Sequence, residues 1–421
     1  MNETQSHTAT DGEIRDAVNL WLDEHWNPEL SLREWREILV DGGWATPHWP
    51  TDYFGRGFTQ AQSSIVTRVF NERGIVPVAQ TGPRRLAAET ILAMGNDDQK
   101  SRYLRPILTG EHSWCQLFSE PGSGSDLAGL STKAEFINEQ WIINGQKVWN
   151  TSAHHADFGI LVARTDFDLP KHQGISFFLI DMRQAGVEVR QLKQMNGHAS
   201  FNEVFMTDAV VGANDLIGGE GNGWQVAKTT LSYERRLGGV ARTNPNEQSE
   251  QGLVHSEYRE ELRIANEPYT WYPQRQGRVD LVLPRARETG AIKDPSTRQE
   301  IAKLLSMAKG ATLSLQAAEA ERKSGSNELV PAGSIGKLGA SFIARQAAHV
   351  HTLISGSDAM RSGADSAEKG MVAEVLISVP AISIAGGTDE IQRNIISERV
   401  LGMPTETRLD TGPFRDIKRN D

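Results

Sequence analysis

Apolar residues recur at three- and four-residue spacing in "EIRDAVNLWLDEHW", "LREWREILV" and "RRLAAETILAMG", which predicts amphipathic helices between Asp11 and about Leu108. The breaks fall at "GWATPHWPTDYFGRG" and "GNDDQK", where Gly, Pro, Asn and Asp punctuate the pattern. Beyond Glu111 the period shortens. "TKAEFINEQWIINGQKVW" reads as short strands around Asn144-Gly145, a dipeptide suited to a hairpin turn because both turn positions favour positive φ. "DFGILVART", "GISFFLIDM" and "GVEVRQL" continue the strand pattern between turn residues. After "IGGEGNGW" the helical period returns in "WQVAKTTLSYERRLGG", "TRQEIAKLLSMAKGATLSLQAAEAERK" and "SFIARQAAHVHTLI". The pattern therefore predicts an α+β chain of three domains: helical over residues 1–111, antiparallel β over 112–218, and a helical bundle over 219–421. Within the last, a polar stretch from about Asn244 to Arg287 carries "NEPYTWYPQRQGR", too rich in Pro, Asn and Gln for a regular helix, and is expected to be irregular.

Composition agrees with a folded, multidomain chain. The 421 residues exceed what one core usually supports, and 38% hydrophobic with 23% charged residues is ordinary globular usage. A formal charge of −10 disfavours broad attraction to nucleic acid or anionic lipid, so neither is expected as a partner. Cys115 is the sole cysteine and cannot form an intramolecular disulfide. The N-terminal "MNETQSHTATDGEIRD" has no basic or apolar leader, and runs such as "ISFFLI" fall far short of a membrane span, so the expected location is the cytoplasm.

Three stretches carry candidate chemistry. In "QLFSEPGSGSDLAGLSTKAE", Gly122 and Gly124 let backbone approach a ligand, and Ser119, Ser123 and Ser125 offer hydrogen bonds; alone, the segment is equally an ordinary loop entering a sheet. Cys115 beside it has no positive neighbour and reads as a packed hydrophobe rather than a nucleophile. In "INGQKVWNTSAHHADF", Trp149 offers a face for ring stacking, and Thr151, two residues on, falls on the same side of a strand. His154-His155 has no third ligand at metal spacing and reads as a loop pair. In "SIAGGTDEIQRN", Thr388 is a helix N-cap, and Asp389 and Glu390 sit in a first turn whose dipole favours acids.

The order of the domains and of these three motifs resembles the acyl-CoA dehydrogenase family along nearly the whole chain, from "GWATPHWPTDYFGRG" through "MGNDDQKSRYLRPILTGE" to "ISERVLGMP". The resemblance implies bound FAD and α,β-desaturation of an acyl-CoA. It implies that Gln116, Leu117, Phe118 and Ser119 line the pyrimidine side of the flavin, and that Gly124 belongs to the same cofactor loop. Ser125 falls where the family contacts flavin phosphate or the CoA substrate. Trp149 would pack on the isoalloxazine, Thr151 would bond its hydride-accepting nitrogen, and Thr388 and Glu390 fall on positions that touch the ribityl-diphosphate part. Gly386 stands where many members carry the catalytic glutamate, leaving only its N–H to donate to the thioester oxygen.

A thioester α-proton is weakly acidic, so a base is required. One branch of the family, with isovaleryl-CoA dehydrogenase as an example, carries its glutamate on the helix after the β domain, just before an arginine. "TLSYERRLGG" has Glu234 and Arg235 at that place. Outside this context Glu234 would be a solvated helix acid; with position 386 vacated it is the expected base. Leu231, three residues back, would raise its pKa, and Arg235 would orient substrate.

Two further segments depart from the homotetrameric pattern. An Arg-x-x-Phe-Gly-like segment is absent, and "TLISGSDAM" puts Thr352 and Ser355 where glutamine and glycine are usual. This combination looks like the actinobacterial members that degrade steroids with two different subunits sharing a site. The expected partners are an acyl-CoA with a branched, cyclic or steroid-derived acyl group, an electron-transfer flavoprotein or similar acceptor, and further subunits in a homo- or heterotetramer. Two other readings remain open: a non-catalytic or co-catalytic subunit of a heteromeric enzyme, and a flavin oxidase or monooxygenase on the same fold.

Overall fold

Helix starts in the first part of the chain follow the capping residues. Thr10, Ser31, Thr59 and Asn96 each accept from the backbone three residues on, and Glu13, Glu34, Gln62 and Gln99 reach back to the cap. These caps open α1 (Asp11–His25), α2 (Leu32–Asp41), α3 (Gln60–Glu72) and α5 (Asp97–Thr109), with α4 (Gly82–Met94) between the last two. The computed structural model describes residues 10–78, 82–237, 251–323, 332–407 and 410–417. The chain divides into two units, Met1–Leu192 with Phe201–Glu267 and Asp410–Asp421, and Lys193–Ser200 with Pro268–Leu409.

In the first unit the helices are followed by β1 (Trp114–Leu117), β2 (Lys133–Ile137), β3 (Gln140–Val148), β4 (Phe158–Arg164), β5 (Ile175–Asp181), β6 (Val187–Leu192), β7 (Phe201–Gly212) and β8 (Leu216–Ile217). They form one eight-stranded sheet in the order β6-β7-β3-β2-β4-β5-β8, with β1 added beside β4. Pairing is antiparallel as expected for the β domain, except that β1 and β2 run parallel to β4. Strand alternation separates two cores. Cys115, Leu117, Leu161, Ala163, Phe178 and Ile180 face one cluster within the β domain. Their neighbours Trp114, Phe118, Ile160, Val162, Phe177 and Leu179 join the helical core built on Trp35, Leu39, Ile91 and Leu104.

The hairpin turn expected at Asn144-Gly145 lies six residues earlier in the chain. The tight turn between β2 and β3 is Asn138-Glu139, whose φ values of 50° and 63° suit a two-residue hairpin loop. Asn144-Gly145 instead marks a bulge in β3, where the register against β7 shifts between Ile143 and Gly145. A Cβ at Gly145 would lie 2.6 Å from Thr132 Oγ1 and 2.8 Å from Thr132 Cα, so glycine is there for close approach rather than for turning.

α6 (Gly223–Leu237) sets Val226 and Ala227 into the helical core, and its buried Thr230 hydroxyl lies 2.9 Å from that of Thr90 on α4. The polar stretch that follows is not irregular throughout. α7 (Leu253–Asn266) buries only Val254 and His255. It is tied to the N-terminal helices by polar contacts: Glu257 accepts from Leu32 N at 2.6 Å, and Glu261 pairs with Arg36 at 3.0 Å and Arg84 at 3.2 Å. Val254 and Tyr258 add an apolar contact with the helical core on the same face. Residues 244–250 of that stretch lie outside the described residues.

The second unit is helical: the short α8 (Tyr272–Arg275), then α9 (Val279–Glu288), α10 (Pro295–Lys323), α11 (Ala332–Ser355), α12 (Met371–Ser378) and α13 (Asp389–Arg399). Val282, Ala286, Leu304, Ala347 and Val350 form its main core. Among the described residues no helix is long and apolar enough to cross a membrane.

Replacing Gly145 by valine should destabilise the β domain by about 1–3 kcal/mol through overpacking against Thr132. A lowered denaturant midpoint with an unchanged slope would register it, and an unchanged midpoint would show that Thr132 gives way freely.

Candidate active site

The glycine-serine loop after β1 is built on a buried ion pair. Glu120 is joined to Lys147 of β3 at 2.8 Å, and Lys147 is fully buried. The same carboxylate accepts from Ser131 N at 2.7 Å, Ser131 Oγ at 3.0 Å and Thr132 N at 2.9 Å, closing the loop from residue 120 to residue 132. Burial would raise the Glu120 pKa, but Lys147 and the hydrogen bonds from Thr132 and Ser131 outweigh it and hold it at about 2. Lys147 also donates to Phe118 O at 3.0 Å, which anchors the strand end before the loop. Gly124 and Ser125 are exposed at its tip.

Of the residues preceding the loop, Leu117 and Phe118 put their side chains into the two cores, so they have only backbone to offer a ligand. Ser119 is half-buried and its carbonyl accepts from Val148 N at 2.9 Å. Gln116 alternates to the same side as Trp114 and Phe118, and there its amide Nε2 donates to Glu234 Oε2 at 3.4 Å. Two segments far apart in sequence thus meet. Glu234 is exposed, while Leu231 packs on the helical core, so the apolar neighbour expected to desolvate Glu234 is turned away from it. Arg235 lies on α6 with its side chain outside the described residues.

Trp149 and Thr151 are not on a strand, as expected, but in the turn after β3 ends at Val148. Trp149 has a left-handed backbone (φ 64°) and its indole is 56% exposed, with Phe201 edge-on at 5.7 Å. Asn150, between them, is buried. Its side chain donates to Gln116 O at 2.7 Å and its backbone pairs in both directions with Asn202 at 3.0 and 3.1 Å. Sequence reasoning passed over Glu120, Lys147, Asn150 and Asn202, whose partners lie on other segments. His154 is held by Asn202 at 3.0 Å and Gln191 at 3.2 Å, and no metal-binding cluster occurs among the described residues. Burial pushes the Cys115 thiol pKa up, in keeping with a packed side chain.

In the second unit Thr388 caps α13, accepting from Ile391 N at 3.2 Å. Gly386 and Gly387 both have positive φ, 69° and 85°, and Gly386 O accepts from Gln392 Nε2 at 3.0 Å. A Cβ at Gly386 would meet no atom within 4 Å, so backbone conformation rather than crowding favours glycine there. Asp389 is buried; burial opposes its ionisation, but Ser341 at 2.8 Å, Lys337 at 3.3 Å and Arg345 at 3.2 Å hold its carboxyl below the usual range. Glu390 is exposed and paired with Arg393 at 3.2 Å.

Comparison with known proteins bears on this arrangement. Family profiles for the N-terminal, middle and C-terminal domains of acyl-CoA dehydrogenases match residues 5–111, 115–209 and 276–401. The acyl-CoA dehydrogenase IpdE1 of Mycobacterium tuberculosis is 31% identical over 380 residues, covering 89% of each chain. The acyl-CoA dehydrogenase FadE34 of the same organism is 35% identical over 373 residues, 87% of this chain but 45% of FadE34. The fold matches the Tcur3481-Tcur3483 steroid ACAD with a TM-score of 0.63 at 21% identity, covering 94% of this chain and 97% of the other. The chain belongs to the acyl-CoA dehydrogenase family.

Because the folded Glu120 pKa of about 2 lies below the ordinary glutamate value of 4.5, the stabilisation it brings is complete above about pH 4.5 and is lost as pH falls through about 2. Glu120→Gln should therefore cost about 3–5 kcal/mol at neutral pH, the usual penalty for stranding a buried charge. The gap to the wild type should narrow below pH 4.5 in denaturant titrations, and a gap that stays constant down to the acid limit would contradict the ionised pair.

Proposed function

We propose that this chain is an FAD-dependent acyl-CoA dehydrogenase in which Glu234 is the base. The observation that carries the reading is the meeting of Glu234 with Gln116, which brings a carboxylate beside the strand leading into the glycine-serine loop, while position 386 has no side chain to serve. Glu234 Oε takes the α-proton of the thioester, and the C–H electron pair becomes the α,β double bond as hydride leaves the β-carbon. Bound FAD supplies the acceptor for that hydride. An acyl chain laid against Glu234 would strip water from it and raise its proton affinity toward that of the α-carbon, while the Gln116 amide keeps it oriented.

The residues fit a flavin. Trp149 holds an exposed indole outward on a constrained backbone, with the Ser119 and Thr151 hydroxyls and the exposed Gly124-Ser125 tip available for its polar edges. Leu117 and Phe118 contribute backbone. Thr388 and Glu390 would address the ribityl-diphosphate part, the Gly386 N–H would donate to the thioester oxygen, and Arg235 would orient substrate. Glycine in place of a side chain at position 386 would leave room beside the α-carbon, which favours a branched, cyclic or steroid-derived acyl group.

A two-subunit assembly is the companion reading. The departures at Thr352 and Ser355 favour it, and the paired name of the steroid ACAD that shares the fold is consistent with it. In such an assembly this chain supplies the base, and an electron-transfer flavoprotein takes the electrons onward.

Glu234→Gln should leave FAD bound with its visible spectrum intact while anaerobic bleaching by an acyl-CoA slows about 10²–10⁴-fold. A panel of straight, branched and steroid-derived thioesters identifies the acyl class. Bleaching at the wild-type rate in the variant would sink the assignment of the base.

A further inference from the structure

Residues 410–417 belong to the first unit and lie along the β domain. Pro413 bridges Pro170, Phe414 N donates to Leu169 O at 3.0 Å, and Arg415 N donates to Phe167 O at 3.0 Å. Phe414 opens a single 3-10 turn, Phe414–Asp416, and is 1% exposed, an unusual degree of burial for a short connecting segment. Its ring sits 3.4 Å from the Arg164 guanidinium carbon, and Arg164 is itself fully buried, where a cation–π contact is at its strongest.

Arg164 is the fixed point of the glycine-serine loop's second half. It donates to Ala128 O at 2.7 Å and Leu130 O at 3.1 Å. Lys171 holds the first half through Asp126, at 2.9 Å, and Ser123 Oγ bonds Asp126 O at 2.6 Å, so Gly124 and Ser125 hang between two restrained residues. Lys171 is also ion-paired with Asp410 of the tail. Two of the three cations that shape the loop, Arg164 and Lys171, are therefore backed by the same short segment: Phe414 covers the first and Asp410 shares the second.

We propose that residues 410–417 are a strap that positions the Gly124-Ser125 tip to receive a diphosphate-bearing nucleotide, with Arg164 and Lys171 as the positioning residues that transmit its hold. The assignment of the tip to FAD or to the CoA thioester rests on the function proposed above, whereas the strap's grip on the loop does not. Both ligands carry a diphosphate, and the loop's backbone and hydroxyl donors suit that chemistry.

The test uses the full chain with Phe414→Ala and, separately, Lys171→Met. FAD is titrated into apoprotein, and free CoA into holoprotein. At least one dissociation constant should rise about tenfold or more in each variant. A rise for FAD assigns the tip to the flavin diphosphate, and a rise for CoA assigns it to the thioester. Arg415→Ala, which removes only an exposed pair with Asp168, should leave both constants unchanged. A Leu39→Ala variant, which opens a cavity in the helical core, should lower the melting temperature without moving either constant, which separates binding from general stability. If Phe414→Ala does not fold, Lys171→Met decides. Folded variants that bind both ligands as the wild type does would overturn the strap. Neither titration involves turnover, so this outcome is independent of whether Glu234 is the base.

Discussion

The candidate site depends on a charge pair that has no water to dissolve in. Removing a carboxylate and an ammonium from solvent costs several kcal/mol for each ion, and the attraction between them compensates only when their remaining hydrogen-bonding capacity is filled. Glu120 fills its capacity with two backbone amides and a hydroxyl, and Lys147 adds the Phe118 carbonyl. Each of those partners lies at an end of the glycine-serine loop or of the strand before it. The pair thus specifies a geometry: any displacement of the loop would leave a buried charge short of a partner.

From that anchor the rest of the site follows by strand alternation. With Phe118 O pinned, Gln116 must face the same way as Trp114 and Phe118, toward the helical core that α6 joins. The buried Thr90–Thr230 contact sets the height of α6, and Glu234 lies one turn beyond Thr230. Asn150 adds a second constraint on Gln116 while occupying the turn that presents Trp149. Ring-stacking surface, backbone tip and carboxylate are consequently held by rigid elements.

Much of this was legible from the residues. The helix, sheet, helix order, the strands at "DFGILVART", "GISFFLIDM" and "GVEVRQL", the Thr388 cap and the inert character of Cys115 are all properties that local pattern encodes directly. What escaped was encoded between segments. Asn144-Gly145 has turn chemistry, but its glycine is required by Thr132 from the neighbouring chain path, so the hairpin moved to Asn138-Glu139. α7 escaped because its stripe, with Val254 and Tyr258 on the helical core, is short and sits in a polar stretch, and much of its docking runs through Glu257 and Glu261. The Trp149-Thr151 pair was expected on a strand, but a left-handed residue at 149 ends the extended conformation. Phe414 and Lys171 gave no local sign of their partners, since a lone aromatic near the end of a chain acquires meaning only from what it covers.

The Phe414–Arg164 contact also orders the protein's biogenesis. Domains generally fold from the N-terminus as a chain is synthesised, and the β domain has all of its strands long before the tail emerges. About 250 residues separate Arg164 from the ring that covers it, so the glycine-serine loop leaves the ribosome with its inner cation uncovered and stays so until residue 414 has emerged. A fragment that ends short of residue 410 would contain the whole loop but lack the aromatic ring that covers its inner cation.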